Sequence, residues 1–279
     1  MLTICVMTYY PENLNISLSR LRNYYDYPFK LLIHNDNPAA CITVGYVQNI
    51  LHRPGVKLLI HNNTRNVGCF NSRMNCIRLM KENQSMQSQW FLFIDDDDVL
   101  LTPKLTKEYA PVINHNALVV HRLREVLSLI NNPCYYSGRS EYIVEEKPKD
   151  GCVGIPYDMK TYFEFYGLIQ PFIPTLYKIY GTEKIMEPDD VILMYMFRMF
   201  LEHKLGLTTE QMPEYMGRFA SNNYSYALTF LEDRRGRYKI ATGVADLRYG
   251  DNPTGISYIS LYNEISAAFY KYLAELPKK

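Results

Sequence analysis

The sequence predicts an α/β protein with a mostly parallel central sheet flanked by helices. Three observations carry that expectation. Apolar runs of strand length alternate with helical patterns from Leu2 to Ile94, polar loops follow the apolar runs, and a cluster of acids, Asp95 to Asp98, stands directly behind Trp90-Phe91-Leu92-Phe93-Ile94. Strands alternating with helices pair in parallel through right-handed crossovers, and their ligand site lies beyond the carboxyl ends of the strands.

Leu2 to Met7 reads as a buried strand, and after Pro11-Glu12-Asn13 the residues Leu14, Leu18 and Leu21 share one helical face. The pattern recurs: Phe29 to Ile33 leads through Asn35-Asp36-Asn37-Pro38 into a helix over Ala39 to Leu51, and Val56 to Ile60 leads through a polar loop into Phe70 to Met80. Phe91 to Ile94 is the fourth strand. Thr102-Pro103 has the hydroxyl cap and first-turn proline of a helix start, and Ala117 to His121 is a fifth strand. Residues Asn131 to Pro156 mix Gly, Pro, Asn and Lys, as hairpins or an insertion do. Glu187-Pro188 opens an apolar helix running to about His203, and Ser257 to about Leu276 forms an amphipathic helix that docks on the core.

At 279 residues and 47% hydrophobic composition the chain buries a substantial core, and no composition shift forces a domain boundary. A formal net charge of +1 supplies no global pull towards nucleic acid or an anionic membrane, so such a partner needs a local patch. The six cysteines show no Cys-x-x-Cys spacing, which predicts reduced thiols, and the amino terminus enters a strand with no basic leader. No apolar stretch reaches bilayer-spanning length, so the expectation is a soluble, cytoplasmic protein. The 25 tyrosines suit core boundaries with a wet hydroxyl, and rings that stack on sugars or bases.

Carboxylates crowded at the end of a buried strand repel one another unless a cation compensates them, so Asp95 to Asp98 read as a site for a hard cation and a diphosphate. An isolated acidic run is more often a solvated turn. Here Ile94 precedes the acids and Val99-Leu100-Leu101 follows, so they interrupt an apolar segment. Glycine-rich phosphate loops, a Gly-x-Ser-x-Gly elbow and clustered His/Cys ligands are all missing, which argues against Rossmann dehydrogenases, P-loop enzymes, serine hydrolases and structural zinc.

Strand one running into Thr8-Tyr9, Asp36 after strand two, Asn66-Val67-Gly68-Cys69-Phe70-Asn71-Ser72-Arg73-Met74-Asn75, and Ile94-Asp95-Asp96-Asp97-Asp98-Val99-Leu100 together resemble the family-two glycosyltransferases of the GT-A fold. The resemblance covers roughly the first 105 residues. It implies a GT-A-like single domain: a nucleotide-sugar-binding half over 1–105, an acceptor-binding and catalytic-base half over 106–256, and the docking helix over 257–279. It also implies that Thr8, Tyr9 and Asp36 line the nucleoside pocket and that Asn66 and Arg73 reach the base or diphosphate. Asp95 and Asp96 then serve the nucleotide, and Asp95 and Asp97 hold Mn2+ or Mg2+. Where the family usually shows two acids and a small residue after strand two, this chain has His34-Asn35-Asp36-Asn37.

An inverting transfer needs a base that takes the acceptor's proton. The family places it in an acidic pair at a helix start well after the metal motif, and Glu187-Pro188-Asp189-Asp190-Val191 resembles that element. Asp190 matches the base best by register, with Asp189 close behind. Acids in a first helical turn also suit the free N–H groups and the dipole there, which is the competing structural role.

The densest basic stretch is Asp233-Arg234-Arg235-Gly236-Arg237-Tyr238-Lys239. Arg234, Arg235 and Arg237 fit either a lid over the diphosphate or contacts to an acceptor's phosphates. Two acceptors are in play: the hydroxymethylated base of phage DNA, favoured by this basic aromatic stretch and placing the enzyme in the host cytoplasm, and a surface polysaccharide. A flipped-out base is what a DNA-directed enzyme would need. From other classes, a sugar nucleotidyltransferase normally opens with a glycine-rich, Arg-containing loop after strand one, where this chain has Thr8-Tyr9-Tyr10-Pro11-Glu12. A non-catalytic calcium module lacks the spaced ligands and glycine it needs.

Overall fold

The computed structural model describes residues 2–23, 28–96, 98–100, 119–121, 123–124, 147–148, 157–185, 189–206, 216–218, 227–232, 238–240 and 258–276. The sheet begins with β1 (Leu2–Thr8), buried on both faces along its whole length, as a central parallel strand must be. Helix α1 (Leu14–Asn23) leads to β2 (Phe29–Asn35), α2 (Val44–Leu51) to β3 (Lys57–Asn62), and α3 (Cys69–Glu82) to β4 (Trp90–Asp95). These four strands pair in parallel in the order β4-β1-β2-β3.

That order fixes where a ligand can sit. The chain steps outward from β1 to β3 and then returns across the sheet to lay β4 beside β1. Because each crossover is right-handed, the outward steps place α1 and α2 on one face and the return places α3 on the other. Leu14, Leu18, Leu21, Val47 and Leu51 pack with Ile4, Val6, Leu31 and Ile33 on the first face, whereas Phe70, Met74, Ile77 and Met80 pack with Cys5, Leu32, Phe91 and Phe93 on the second. The crevice at the carboxyl ends of β1 and β4 is the topological switch point.

Short strands follow: β5 (Asp98–Leu100), β6 (Val119–His121), β7 (Leu123–Arg124), β8 (Lys147–Pro148) and β9 (Tyr157–Asp158). β9 lies between β4 and β6 and runs antiparallel to both, so the main sheet is mixed on the side of β4 away from β1. Three helices then cover the α3 face: α4 (Met159–Ile169), capped by Asp158 Oδ1 on Thr161 N, α5 (Ile173–Tyr180) and α6 (Asp189–Leu205). The rings of Phe91, Phe93, Tyr157, Tyr162, Phe165 and Phe197 interlock mostly edge to face, with centroids 4.8 to 6.2 Å apart. β10 (Met216–Arg218) joins β6 in parallel, while β11 (Ala227–Glu232) runs antiparallel to both β5 and β12 (Tyr238–Ile240). The closing helix α7 (Tyr258–Glu275) buries Leu261, Ile265, Phe269 and Leu273, and Tyr272 Oη donates to Leu168 O at 2.8 Å.

The structure departs from the sequence reading at particular points. α2 starts at Val44 instead of Ala39, because the Asn35 amide holds Ala40 O at 2.6 Å and Asn62 accepts from Ile42 N at 2.9 Å, which keeps 37–42 a loop until Thr43 caps the helix. The sequence reading assigns no element to 157–186, where α4 and α5 lie. The helix expected at Thr102-Pro103 falls outside the described residues. Among the described residues no helix is long and apolar enough to cross a membrane.

His34 is a buried base with a pH consequence. Its ring is fully buried 5.2 Å from that of His61, and neither ring nitrogen has a hydrogen-bond partner among the described residues. Burial first, then the positive charges of His61 and Arg78, lower its pKa from 6.5 to about 3. The unfolded chain therefore gains a proton that the folded one refuses, so stability present above pH 6.5 is lost as the pH falls towards 3. His34→Leu should flatten the fall in thermal midpoint between pH 7 and pH 4, and an unchanged slope would assign it to other groups.

Candidate active site

Four loops meet at the switch point, and hydrogen bonds between them define the site. Asp36 N donates to Thr8 O at 2.8 Å and Asn37 Nδ2 to Tyr9 O at 2.9 Å, which joins the loops after β1 and β2. Asp36, 7% exposed, accepts from Asn63 Nδ2 at 2.8 Å and Val67 N at 2.8 Å on Oδ1, and from Gly68 N at 2.9 Å on Oδ2. The carboxylate thereby caps the start of α3, where free N–H groups and the helix dipole favour a negative charge. Among the described residues three of its four lone-pair positions are taken, which leaves one on Oδ2 for a ligand N–H or O–H.

Gly68 makes the close approach possible. Its φ is +87°, and a Cβ there would stand 2.8 Å from Ile185 O. Asn66 Oδ1 accepts from Gly68 N at 3.0 Å, so Asn66 shapes the same loop.

Arg73, one helical turn into α3 and 3% exposed, lies under the end of β4. Its Nη2 donates to Asp95 Oδ1 at 3.0 Å and Oδ2 at 3.3 Å, and its guanidinium carbon sits 5.5 Å from the Phe93 ring centroid. The Asp95 side chain is 38% exposed, so the pair is buried on one side and open on the other. The neighbouring Asp96 turns inward. Its Oδ2 accepts from Thr8 Oγ1 at 2.6 Å, Tyr9 N at 3.2 Å and Tyr10 N at 3.1 Å. Burial raises its pKa from 3.8 to about 6, outweighing the hydrogen bonds from Thr8 and Tyr10, with the Asp95 charge adding to the rise.

The structure thus brings Thr8, Tyr9, Asp36, Asn66, Arg73, Asp95 and Asp96 together. Asp97, Arg234, Arg235 and Arg237 lie outside the described residues, and Asp189 and Asp190 open α6 with their side chains outside them too. The pairing of β11 with β5 matches Thr229 with Asp98, so from Thr229 onward β11 advances in the direction from which the acids enter β5. Among the described residues no group of three or more His, Cys, Asp or Glu stands together to hold a metal. The Asp95 carboxylate, paired with Arg73 and 38% exposed, is of the type that suits an oxygen-seeking divalent ion taking one or two protein carboxylates and completing its shell with phosphate oxygens and water. The sequence reading leaves out Asn63, which follows β3 in a polar loop and was marked only by its place at the sheet edge.

The profile of the family described as Glycosyl transferase family 2 matches residues 3–201, and the chain belongs to that family of glycosyltransferases. No curated protein matches it by sequence. The crystal structure of S. aureus TarS 1-349 in complex with UDP-GlcNAc is 16% identical over 97% of this chain and 72% of that one, with a TM-score of 0.50, which shows the shared fold. Against another crystal structure of TarS 1-349 the identity is 17%, the TM-score 0.47, and the match covers 81% of this chain and 60% of that one. The mannosyltransferase PcManGT from Pyrobaculum calidifontis, in complex with GDP-Man and Mn2+, is 10% identical over 99% of this chain and 76% of that one, with a TM-score of 0.45.

Proposed function

We propose that this chain moves a sugar from a nucleotide diphosphate donor to an acceptor hydroxyl, with inversion and with help from Mn2+ or Mg2+. The observation that carries the reading is the convergence on one switch point of a carboxylate with one free acceptor position, Asp36, and an Arg73–Asp95 pair open on one side. Asp36 takes a nucleobase N–H, and the ring of Tyr9, 39% exposed, covers the nucleoside. Asp96 holds Thr8, Tyr9 and Tyr10 in place and so shapes this pocket from beneath. Arg73 offsets the charge of Asp95, so acids and diphosphate are not left to repel each other.

Asp95 and Asp97 are the carboxylates that would hold the cation. When bound, it spreads the charge of the departing diphosphate. The bond between the anomeric carbon and the diphosphate oxygen breaks, and the diphosphate leaves with the electron pair. The acceptor oxygen attacks from the opposite side, and its proton passes to a carboxylate of the Asp189–Asp190 pair, Asp190 by register.

For the acceptor we propose the hydroxymethylated base of duplex DNA. Support comes from the basic stretch 233–239, the densest run of cations in the sequence. Incubating the protein with Mn2+, UDP-GlcNAc or GDP-mannose, and duplex DNA containing hydroxymethylcytosine tests both levels. Nucleotide diphosphate release together with an added N-acetylhexosamine mass from UDP-GlcNAc, or a hexose mass from GDP-mannose, on the DNA is the expected result. Release without DNA labelling points to a carbohydrate acceptor, and no release from a full panel of sugar nucleotides overturns the reading.

A further inference from the structure

We propose that Asn71 is a positioning residue that holds the catalytic-base helix in register with the donor loop. The inference rests on the roles given above to Asp36 and to the Asp189–Asp190 pair.

Asn71 lies in the first turn of α3, and its amide makes three hydrogen bonds to three segments. Nδ2 donates to Val67 O at 3.0 Å and to Glu183 O at 2.8 Å, while Oδ1 accepts from Tyr177 Oη at 2.7 Å. Val67 belongs to the loop whose N–H groups bind Asp36. Tyr177 sits near the end of α5, and Glu183 lies in the connection from α5 to α6. The same connection is fixed again at Ile185, whose carbonyl accepts from Phe70 N at 3.2 Å and fills the space a Cβ on Gly68 would need. So the segment entering α6 is tied to the first turn of α3 by two backbone carbonyls, and the end of α5 is tied to it by a tyrosine hydroxyl.

Geometry turns this tie into a catalytic constraint. α6 begins at Asp189, four residues after Ile185, and four residues of extended chain reach at most about 14 Å. Anchoring Glu183 and Ile185 therefore limits where the first turn of α6 can stand relative to Asp36 and Arg73. Displacement of a reacting group by about 1 Å can cost about 100-fold in rate, so a loosened tie should appear in turnover before it appears in nucleotide affinity.

The test compares Asn71→Asp, which keeps the shape but removes both N–H donations, and Tyr177→Phe, which deletes one hydroxyl, with the exposed Lys178→Ala as control. Each is measured for Kd of UDP and of GDP with Mn2+, and for kcat of nucleotide diphosphate release from UDP-GlcNAc and GDP-mannose. Asn71→Asp should lower kcat about 100-fold, Tyr177→Phe should lower it less in the same direction, and Kd should stay within about twofold. In an Asp190→Asn background Asn71→Asp should add no further loss, because both changes act on one proton transfer.

Wild-type kcat in both Asn71→Asp and Tyr177→Phe overturns the inference, as does a Kd that rises in step with the fall in kcat. A full additional loss on top of Asp190→Asn also overturns it, since that marks a general structural role. Should Asn71→Asp fail to fold, Tyr177→Phe decides alone. Full turnover by Asp190→Asn moves the base elsewhere, and a parent protein that binds neither nucleotide removes the donor-site reading; either result takes this inference with it.

Discussion

Asp190→Asn should reduce kcat by about 10³-fold while Kd for the nucleotide stays close to that of the parent protein. General-base contributions run from about 10² to 10⁴, and asparagine keeps the shape of aspartate while losing its affinity for a proton. The substitution also removes a negative charge from the first turn of α6, where the dipole favours it by about 0.3 to 1 kcal/mol, so a small loss of stability should accompany the large loss of rate. Size separates the two roles. A capping acid alone would cost a few degrees in thermal midpoint and leave turnover nearly intact. The same change at Asp189, the alternative base, shows which carboxylate takes the proton.

Asp36→Ala should harm both stability and nucleotide binding. Three donors, Asn63 Nδ2, Val67 N and Gly68 N, would lose a shared charged acceptor in a nearly buried setting. Hydrogen bonds to charged groups contribute about 1.5 to 3 kcal/mol each and are not additive within one group, so a loss of about 3 kcal/mol is expected. Nucleotide affinity should fall about tenfold or more, because a ligand N–H would meet no acceptor. Asp36→Asn should fall between: its oxygen can serve Asn63 and Val67, but its NH2 would face the N–H of Gly68. Chemical denaturation and nucleotide titration of the two variants check the order parent, Asn, Ala. Equal affinity in all three would leave Asp36 as a helix cap and nothing more.

These cases show what a sequence discloses. β1, β2 and β4 were legible because a central parallel strand reads as an unbroken apolar run, and the acids behind Ile94 mark where the strand meets the crevice. Asp36 was marked by its place after β2. The role the structure gives it, as the cap of α3, was not legible, because Val67 and Gly68 come to it through backbone N–H groups that carry no residue signature. Asn63, Asn71 and Tyr177 were silent for a related reason: they act by touching segments up to 112 residues away, and only the folded chain brings those together. The inward turn of Asp96 is of the same kind, since four identical side chains in a row give no hint which one faces Thr8.

The late start of α2 follows the same logic from the local side. Ala39 to Leu51 has a helical pattern, yet the amides of Asn35 and Asn62 bond the backbone of Ala40 and Ile42 and stop the helix from extending to Ala39.

The carboxylates behind β4 and a nucleotide diphosphate are expected to share one divalent cation. A crystal grown with Mn2+ and a nucleotide diphosphate, with diffraction recorded at the manganese edge, measures this directly. One anomalous peak is expected about 2.1 to 2.3 Å from an Asp95 or Asp97 oxygen and from a diphosphate oxygen, as all-oxygen ligation of a small divalent ion requires. A nucleotide bound at Asp36 with no manganese beside these aspartates, or manganese bound elsewhere on the protein, would contradict it.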